Sequence, residues 1–195
     1  MLLCEEGDLQ AMVGTISLYD RYGERLHTIY VGATPEYGQA AFRERMEREI
    51  AHVKQLYPQA TYVGIADGAQ SNWDFLEPHT SVQILDFYHA TGYLAEVAQV
   101  ACPRVCLSAL SGWRHAVMSL NIPREPPLFI LEEMQELAKH PLSESLQEKL
   151  QCAITYFSNH QRQRDYASYR AKHFSIGSGV TEAACKTLSS SEKVL

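Results

Sequence analysis

Two short apolar runs that each finish at an aspartate constrain the fold of this chain most. They are TYVGIAD at 61–67 and SVQILDF at 81–87, in which Asp67 and Asp86 follow the apolar residues. Apolar runs without polar alternation are typical of strands in a sheet that is covered on both faces. The two runs therefore predict buried strands of an α/β protein, with an acidic side chain at the end of each.

The residues around these strands predict further elements. Alternating runs at 11–20 and 25–32 flank a polar turn, which favours an antiparallel hairpin. Helical spacing predicts a helix over about 36–57, carried by Phe42, Met46, Ile50, Val53 and Tyr57. A second helix is expected from Asp86 to about 101. This order predicts a mixed sheet, with an antiparallel hairpin and parallel strands, flanked by helices.

The second half of the chain has a different pattern. Prolines interrupt residues 102–128, so we expect no regular element and poor packing there. Helical spacing resumes at Leu131, Met134 and Leu137. It restarts after Pro141 and runs from Leu142 to Phe157, with Ser145 and Glu148 as a capping box. The predicted organisation is a core over 1–101, an irregular and helical insert over 102–158, and a C-terminal segment over 159–195.

Composition fits a globular protein of one domain, because 46% of its 195 residues are hydrophobic and 21% are charged. The net charge of -6 argues against a nucleic-acid binder, which normally presents a basic surface. Five scattered cysteines are expected to be reduced thiols. No signal peptide and no bilayer-spanning apolar run are visible, so we expect a soluble, cytoplasmic protein without a membrane partner.

Three acidic positions could carry chemistry. Asp67 is followed by Gly68 and Ala69, which suits a metal ligand at a strand end, although on these residues alone capping of the next helix or turn is the favoured interpretation. Asp86 and His89 form a D-x-x-H, for which a structural hydrogen-bonded pair is the favoured interpretation over a metal site. Glu182 lies in the first turn of a predicted helix, where a negative charge interacts favourably with the helix dipole.

Longer segments resemble a known family. They are AMVGTISLYDRYGERLHTIYVGATPEYG, VGIADGAQSNW, ILDFYHATGYL and YRAKHFSIGSGVTEAACKTL, in that order. They resemble the bacterial insertion-sequence transposases with an Asp, Asp, Glu triad, in the subgroup common in cyanobacteria. The resemblance implies a ribonuclease H-like fold in which the acids hold two Mg²⁺ or Mn²⁺ ions for DNA cleavage and strand transfer.

The resemblance also assigns residues and partners. It implies that Asp67 and Glu182 are catalytic metal ligands. The supporting residues would be Asp86, His89 and Trp73, and the DNA contacts Lys172 and Lys186. The expected partner is DNA at the ends of the element, together with a second copy or a full-length transposase.

The resemblance breaks at three places. The first acid of the triad is expected just upstream of MLLCEEG, and Asp8 is a poor substitute. Residues 102–128 lack the expected basic helix, and SSSEKVL replaces a basic C-terminal helix. A decayed gene, truncated and read out of frame, would explain all three departures. We therefore expect a fragment that is inactive alone.

The sequence leaves two alternative functions open. One is a non-catalytic remnant that binds DNA or dimerises and interferes with full-length transposase. The other is a small metal-dependent nuclease using Asp67, Asp86 and Glu182.

Overall fold

The computed structural model describes residues 2–4, 7–9, 12–33, 38–101 and 126–181. The chain divides into two compact units. The hairpin unit comprises residues 1–62, 78–81 and 178–195, and the parallel-strand unit comprises 63–77 and 82–177. The three-part division expected from the sequence stays a prediction.

The hairpin unit contains two antiparallel strand pairs and a long helix. Strand β1 (Leu2–Cys4) pairs with β2 (Gly7–Leu9), a short pair that the sequence patterns did not predict. Strand β3 (Met12–Tyr19) pairs with β4 (Arg25–Ala33), which confirms the predicted hairpin. The turn between them is closed by Asp20, whose carboxylate accepts hydrogen bonds from the backbone of Tyr22 and Glu24.

Helix α1 (Gly38–Leu56) packs on both strands of this hairpin. It buries Phe42, Met46 and Val53, whose spacing places them on one face of the helix. Strand β4 contributes Val31 and Ala33 to the buried surface. The sequence prediction of this helix is therefore confirmed to within two residues at each end.

The parallel-strand unit is built around β5 (Val63–Ala66) and β6 (Val82–Leu85). These strands pair in parallel, with Val63 opposite Val82 and Ala66 opposite Leu85. Between them lies helix α2 (Gln70–Leu76), and after them comes α3 (Phe87–Ala101). The remaining helices are α4 (Pro126–Leu137), α5 (Glu144–Asn159), a 3-10 turn at Gln161–Gln163 and α6 (Tyr166–Ala171).

Strand β6 is covered on both faces, as its apolar run predicts. Leu85 belongs to a core made with α3, α4 and α5, which contains Leu94, Met134, Leu150 and Phe157. Ile84 points to the opposite core, formed with Phe87 and the two α6 tyrosines, Tyr166 and Tyr169. Both strand residues are 0% exposed, which fixes the register because a one-residue slip would exchange the two faces.

In the second half of the chain, the structure differs from the sequence predictions at the starts of α4 and α5 and at α6. Most of 102–128 lies outside the described residues, but α4 begins at Pro126, because proline fits the first turn of a helix. Ser143, rather than Ser145, caps α5 by accepting from the backbone N–H of Leu146. Helix α6 falls in a segment for which no helix was predicted.

The described strands form three two-stranded sheets, so the mixed α/β class is confirmed while a continuous mixed sheet stays a prediction. Within the described part of the chain, every helix is too short or too polar to cross a membrane.

Candidate functional site

Asp67 directly follows strand β5 and is exposed. Its Oδ1 accepts hydrogen bonds from the backbone N–H of Ala69 and from the side-chain amide of Asn72, each at 3.0 Å. These bonds fold the chain into a turn that leads into α2. Oδ1 therefore organises the turn, while Oδ2 has no hydrogen bond to a described residue.

Asp86 ends the neighbouring strand and has a structural role. Its backbone N–H donates to the carbonyl of Ala66 at 2.7 Å, which continues the pairing of the two strands. Its Oδ1 accepts from the backbone N–H of His89 at 2.7 Å and thereby caps helix α3. The carboxylate is only 2% exposed. The predicted D-x-x-H pair is thus joined through the backbone of His89.

The ring of His89 lies in an aromatic cluster. It contacts Tyr93 and Tyr156 with ring centroids 5.7 and 6.0 Å away. Tyr93 and Tyr156 are themselves stacked at 4.1 Å. His89 therefore contributes an exposed imidazole beside the ends of the two strands.

Trp73 lies on helix α2 and its side chain is buried in the core, with its ring centroid 6.1 Å from that of His160. Its Nε1 has no hydrogen-bond partner among the described residues. The buried ring anchors the helix that follows Asp67, and the supporting role expected for Trp73 stays a prediction.

Tyr156 and His160 on helix α5 also belong to this region, although the sequence patterns did not single them out. The hydroxyl of Tyr156 donates to the carbonyl of Asp67 at 2.8 Å, and Nε2 of His160 lies 3.0 Å from the carbonyl of Gly68. Burial, and then the neighbouring Tyr93, Asp67 and Asp86, raise the pKa of Tyr156 far above its ordinary value. The hydroxyl therefore stays protonated and can donate. The only sequence signal is the i,i+4 spacing of two polar-tipped rings beside the apolar stripe of α5.

The segment that leads towards Glu182 begins beside Asp86. The backbone N–H of Phe87 donates to the carbonyl of Ile176 at 2.9 Å. A side chain at Gly177 would place its Cβ 2.6 Å from the ring of Tyr88, so only glycine allows this approach without movement of the ring. Glu182 and Lys186 themselves lie outside the described residues. Lys172 is exposed at the end of α6.

Of the two predicted metal ligands, Asp67 is among the described residues and Glu182 is not. Hard cations such as Mg²⁺ prefer carboxylate oxygens and are often held by one or two of them with water. Oδ2 of Asp67 fits that chemistry. Among the described residues, no three His, Cys, Asp or Glu side chains converge as metal ligands. The convergence of Asp67 with Glu182 stays a prediction.

No protein-family model, curated protein or solved structure matches this chain significantly. The arrangement at the strand ends must therefore be interpreted from its own geometry.

Proposed function

We propose that this chain carries part of the catalytic core of a metal-dependent DNA transposase with a ribonuclease H-like fold. The observation that carries the proposal is the carboxylate of Asp67, exposed at the carboxyl end of a buried parallel strand with one oxygen left for a ligand. Such strand ends are where α/β sheets place their ligand sites. The element order of hairpin, helix and two parallel strands supports the fold proposal.

In this proposal Asp67 and Glu182 hold Mg²⁺ or Mn²⁺ beside a DNA phosphodiester. The ions would supply activation of the attacking oxygen and stabilisation of the leaving oxygen. Asp67 contributes a negative oxygen whose direction is set by its turn. Asp86 keeps α3 in place beside it, and Lys172 and Lys186 contact DNA phosphates.

The 195-residue polypeptide by itself is proposed to be inactive, because it offers two of the three acids. Asp8 is the aspartate nearest the expected position of the first acid, and it lies in strand β2, which among the described strands pairs with β1. Two carboxylates can hold one cation weakly, but one cation cannot stabilise both the attacking and the leaving oxygen.

A metal-binding and cleavage experiment tests both parts of the proposal. Mn²⁺ binding is measured by water-proton relaxation, and nicking of duplex DNA is followed on gels with Mg²⁺ or Mn²⁺. We expect weak Mn²⁺ binding that Asp67→Asn reduces by about tenfold, since it removes the charged ligand, and no nicking by any variant. Asp74→Asn is the matched control, because Asp74 is an exposed acid on α2 that bonds Gln70.

Two outcomes would contradict the proposal. Equal Mn²⁺ binding by Asp67→Asn and Asp74→Asn would remove Asp67 from the site. Cleavage that is lost in Asp67→Ala would overturn the inactivity of the chain. If cleavage also required the carboxylate of Asp86, the nuclease alternative would replace the transposase proposal. The burial of Asp86 and its bond to His89 weigh against that alternative.

A further inference from the structure

Two side chains of helix α5 reach two consecutive carbonyls of the turn after β5. Tyr156 donates to the carbonyl of Asp67 at 2.8 Å, across 89 positions of sequence. His160 places Nε2 3.0 Å from the carbonyl of Gly68, across 92 positions. A carbonyl oxygen only accepts, so this contact is a hydrogen bond in the tautomer that carries the proton on Nε2. One turn of α5 therefore holds both peptide groups that follow the strand.

The rings of Tyr156 and His160 fill the space beside Gly68 in the turn. Gly68 adopts a φ of +105°, and a Cβ built on it would lie 2.9 Å from Cε2 of Tyr156 and 3.1 Å from Cε1 of His160. The two rings thus occupy the space that a side chain would need. Tyr156 is itself fixed by stacking on Tyr93, with an angle of 19° between the rings. Nδ1 of His160 lies 2.7 Å from the carbonyl of Tyr156, so this carbonyl and that of Gly68 face the two nitrogens of one ring.

The held peptide groups are the ones that orient the Asp67 carboxylate. The carbonyl of Gly68 and the N–H of Ala69 belong to one planar peptide group. That N–H donates to Oδ1 of Asp67 at 3.0 Å. With the ring proton on Nε2, a continuous chain of hydrogen bonds runs from His160 through one rigid plane to the carboxylate. Tyr156 fixes the preceding plane, and aligned hydrogen bonds of this kind polarise one another.

We propose that Tyr156 and His160 are positioning residues that set the direction of the Asp67 carboxylate and keep Oδ2 turned towards a divalent cation. The cation rests on the proposed function, whereas the orientation of the carboxylate does not. Tyr156 lies in the predicted insert, and His160, the C-cap of α5, lies in the predicted C-terminal segment, so both segments form part of the wall of the site. Neither residue is a metal ligand in this proposal.

The first test measures the turn without metal. Exchange of the Ala69 amide with water is followed by NMR in Tyr156→Phe, which removes one hydroxyl and keeps the stacked ring. We expect exchange about fivefold faster, because one net hydrogen bond is lost. Tyr93→Phe is the matched control: it removes a hydroxyl from the same stacked pair, and that hydroxyl has no hydrogen bond to a described residue. It should leave the exchange rate unchanged.

The second test separates donation from packing at His160. His160→Gln keeps an N–H donor near the position of Nε2, whereas His160→Met fills similar space without one. We expect Mn²⁺ binding to weaken about three- to tenfold in His160→Met and in Tyr156→Phe, and to be largely kept in His160→Gln. Circular dichroism on each variant shows that the chain is folded. A residue that only packs would give equal effects in the two His160 variants.

The outcomes distinguish this proposal from the proposed function. If the unaltered chain binds no Mn²⁺ at Asp67, the proposed function fails, while faster Ala69 exchange in Tyr156→Phe alone still supports the positioning role. Equal exchange in Tyr156→Phe and Tyr93→Phe overturns the positioning role. Faster exchange with unchanged Mn²⁺ affinity also overturns it, because the turn would then be held without consequence for the carboxylate.

Discussion

Gly68 adopts a backbone conformation that residues with a side chain rarely reach. Its φ is +105°, and the space beside its Cα is filled by Tyr156 and His160. Such a conformation costs other residues about 1–3 kcal/mol before any steric clash is counted. Glycine at this position is therefore required by the turn that carries Asp67.

We expect Gly68→Ala to lower the free energy of unfolding by about 2 kcal/mol or more, measured by urea unfolding. Gly92→Ala is the control, because Gly92 lies in helix α3 and a Cβ there meets nothing within 4 Å. That change should stabilise the chain by about 0.5–1 kcal/mol, the usual gain of alanine over glycine in a helix. The requirement for glycine would be contradicted if Gly68→Ala lowered the free energy of unfolding by no more than the amount by which Gly92→Ala changes it.

Tyr166 buries a hydroxyl without a hydrogen-bond partner among the described residues. The residue is 5% exposed and packs its ring edge-on against Phe87. Burial raises the pKa of Tyr166 most, and the neighbouring Tyr156 adds to the rise. A folded-state pKa above the unfolded value means that the phenolate form is disfavoured in the fold. The stability therefore falls as the pH rises above about 10, where the unfolded chain would ionise this group.

We expect Tyr166→Phe to raise the free energy of unfolding at neutral pH by about 1 kcal/mol, since a buried hydroxyl without a partner is removed. The decline of stability above about pH 10 should also become less steep. Tyr169→Phe provides the contrast, because its hydroxyl lies 3.1 Å from the carbonyl of Arg162 and 3.3 Å from that of Gln83. It should be destabilising at neutral pH. Destabilisation by both changes would show that the Tyr166 hydroxyl has a partner.

At the scale of single elements, helix α5 depends on the serine that caps it. Ser143 has an extended backbone, and its hydroxyl accepts from the N–H of Leu146 at 3.4 Å. We expect Ser143→Ala to cost about 1 kcal/mol in thermal or urea unfolding. Ser145→Ala, inside the first turn, should change stability by less than about 0.5 kcal/mol. The reverse order would place the start of the helix two residues later.

The sequence predicts those helices and strands whose apolar residues follow a regular spacing within the element itself. Strands β3 to β6 and helices α1 and α3 follow from alternation, helical spacing and apolar runs. Helix α6 is not predicted, because Tyr166 and Tyr169 form a helical face only through packing against Ile84 and Phe87. The cap of α5 was placed at Ser145 because a capping box is a sequence signature, while the extended conformation of Ser143 is a feature of the backbone.

The candidate site was predictable only in part for the same reason. Asp67 stands out because it ends an apolar strand, and Asp86 because it ends the next one. Tyr156 and His160 reach the turn across 89 and 92 positions, and no local pattern encodes such a contact. Their role depends on how α5 packs on α3, which is a property of the folded core.

At the scale of the whole molecule, the net charge of -6 opposes binding to the DNA that we propose as the partner. We expect binding to duplex DNA weaker than about 10⁻⁴ M at physiological salt, measured by fluorescence anisotropy over a salt series. Lys172→Ala should reduce the slope of log affinity against log salt by about one. Lys139→Ala is the control, since Lys139 is exposed and paired with Glu136. An equal slope for the two variants would remove Lys172 from the DNA contact.

The large sequence separation between the turn and Tyr156 and His160 also sets the order in which parts of the chain can fold during synthesis. Residues paired in the β3–β4 hairpin lie between 6 and 21 positions apart, from Tyr19 with Arg25 to Met12 with Ala33. Hairpins form within about 1–10 μs once both strands are available. The 89 residues from Asp67 to Tyr156 take the ribosome roughly 4–18 s to add. During that interval the turn has only its own short-range bonds, so the carboxylate of Asp67 reaches its final geometry long after the hairpin has formed.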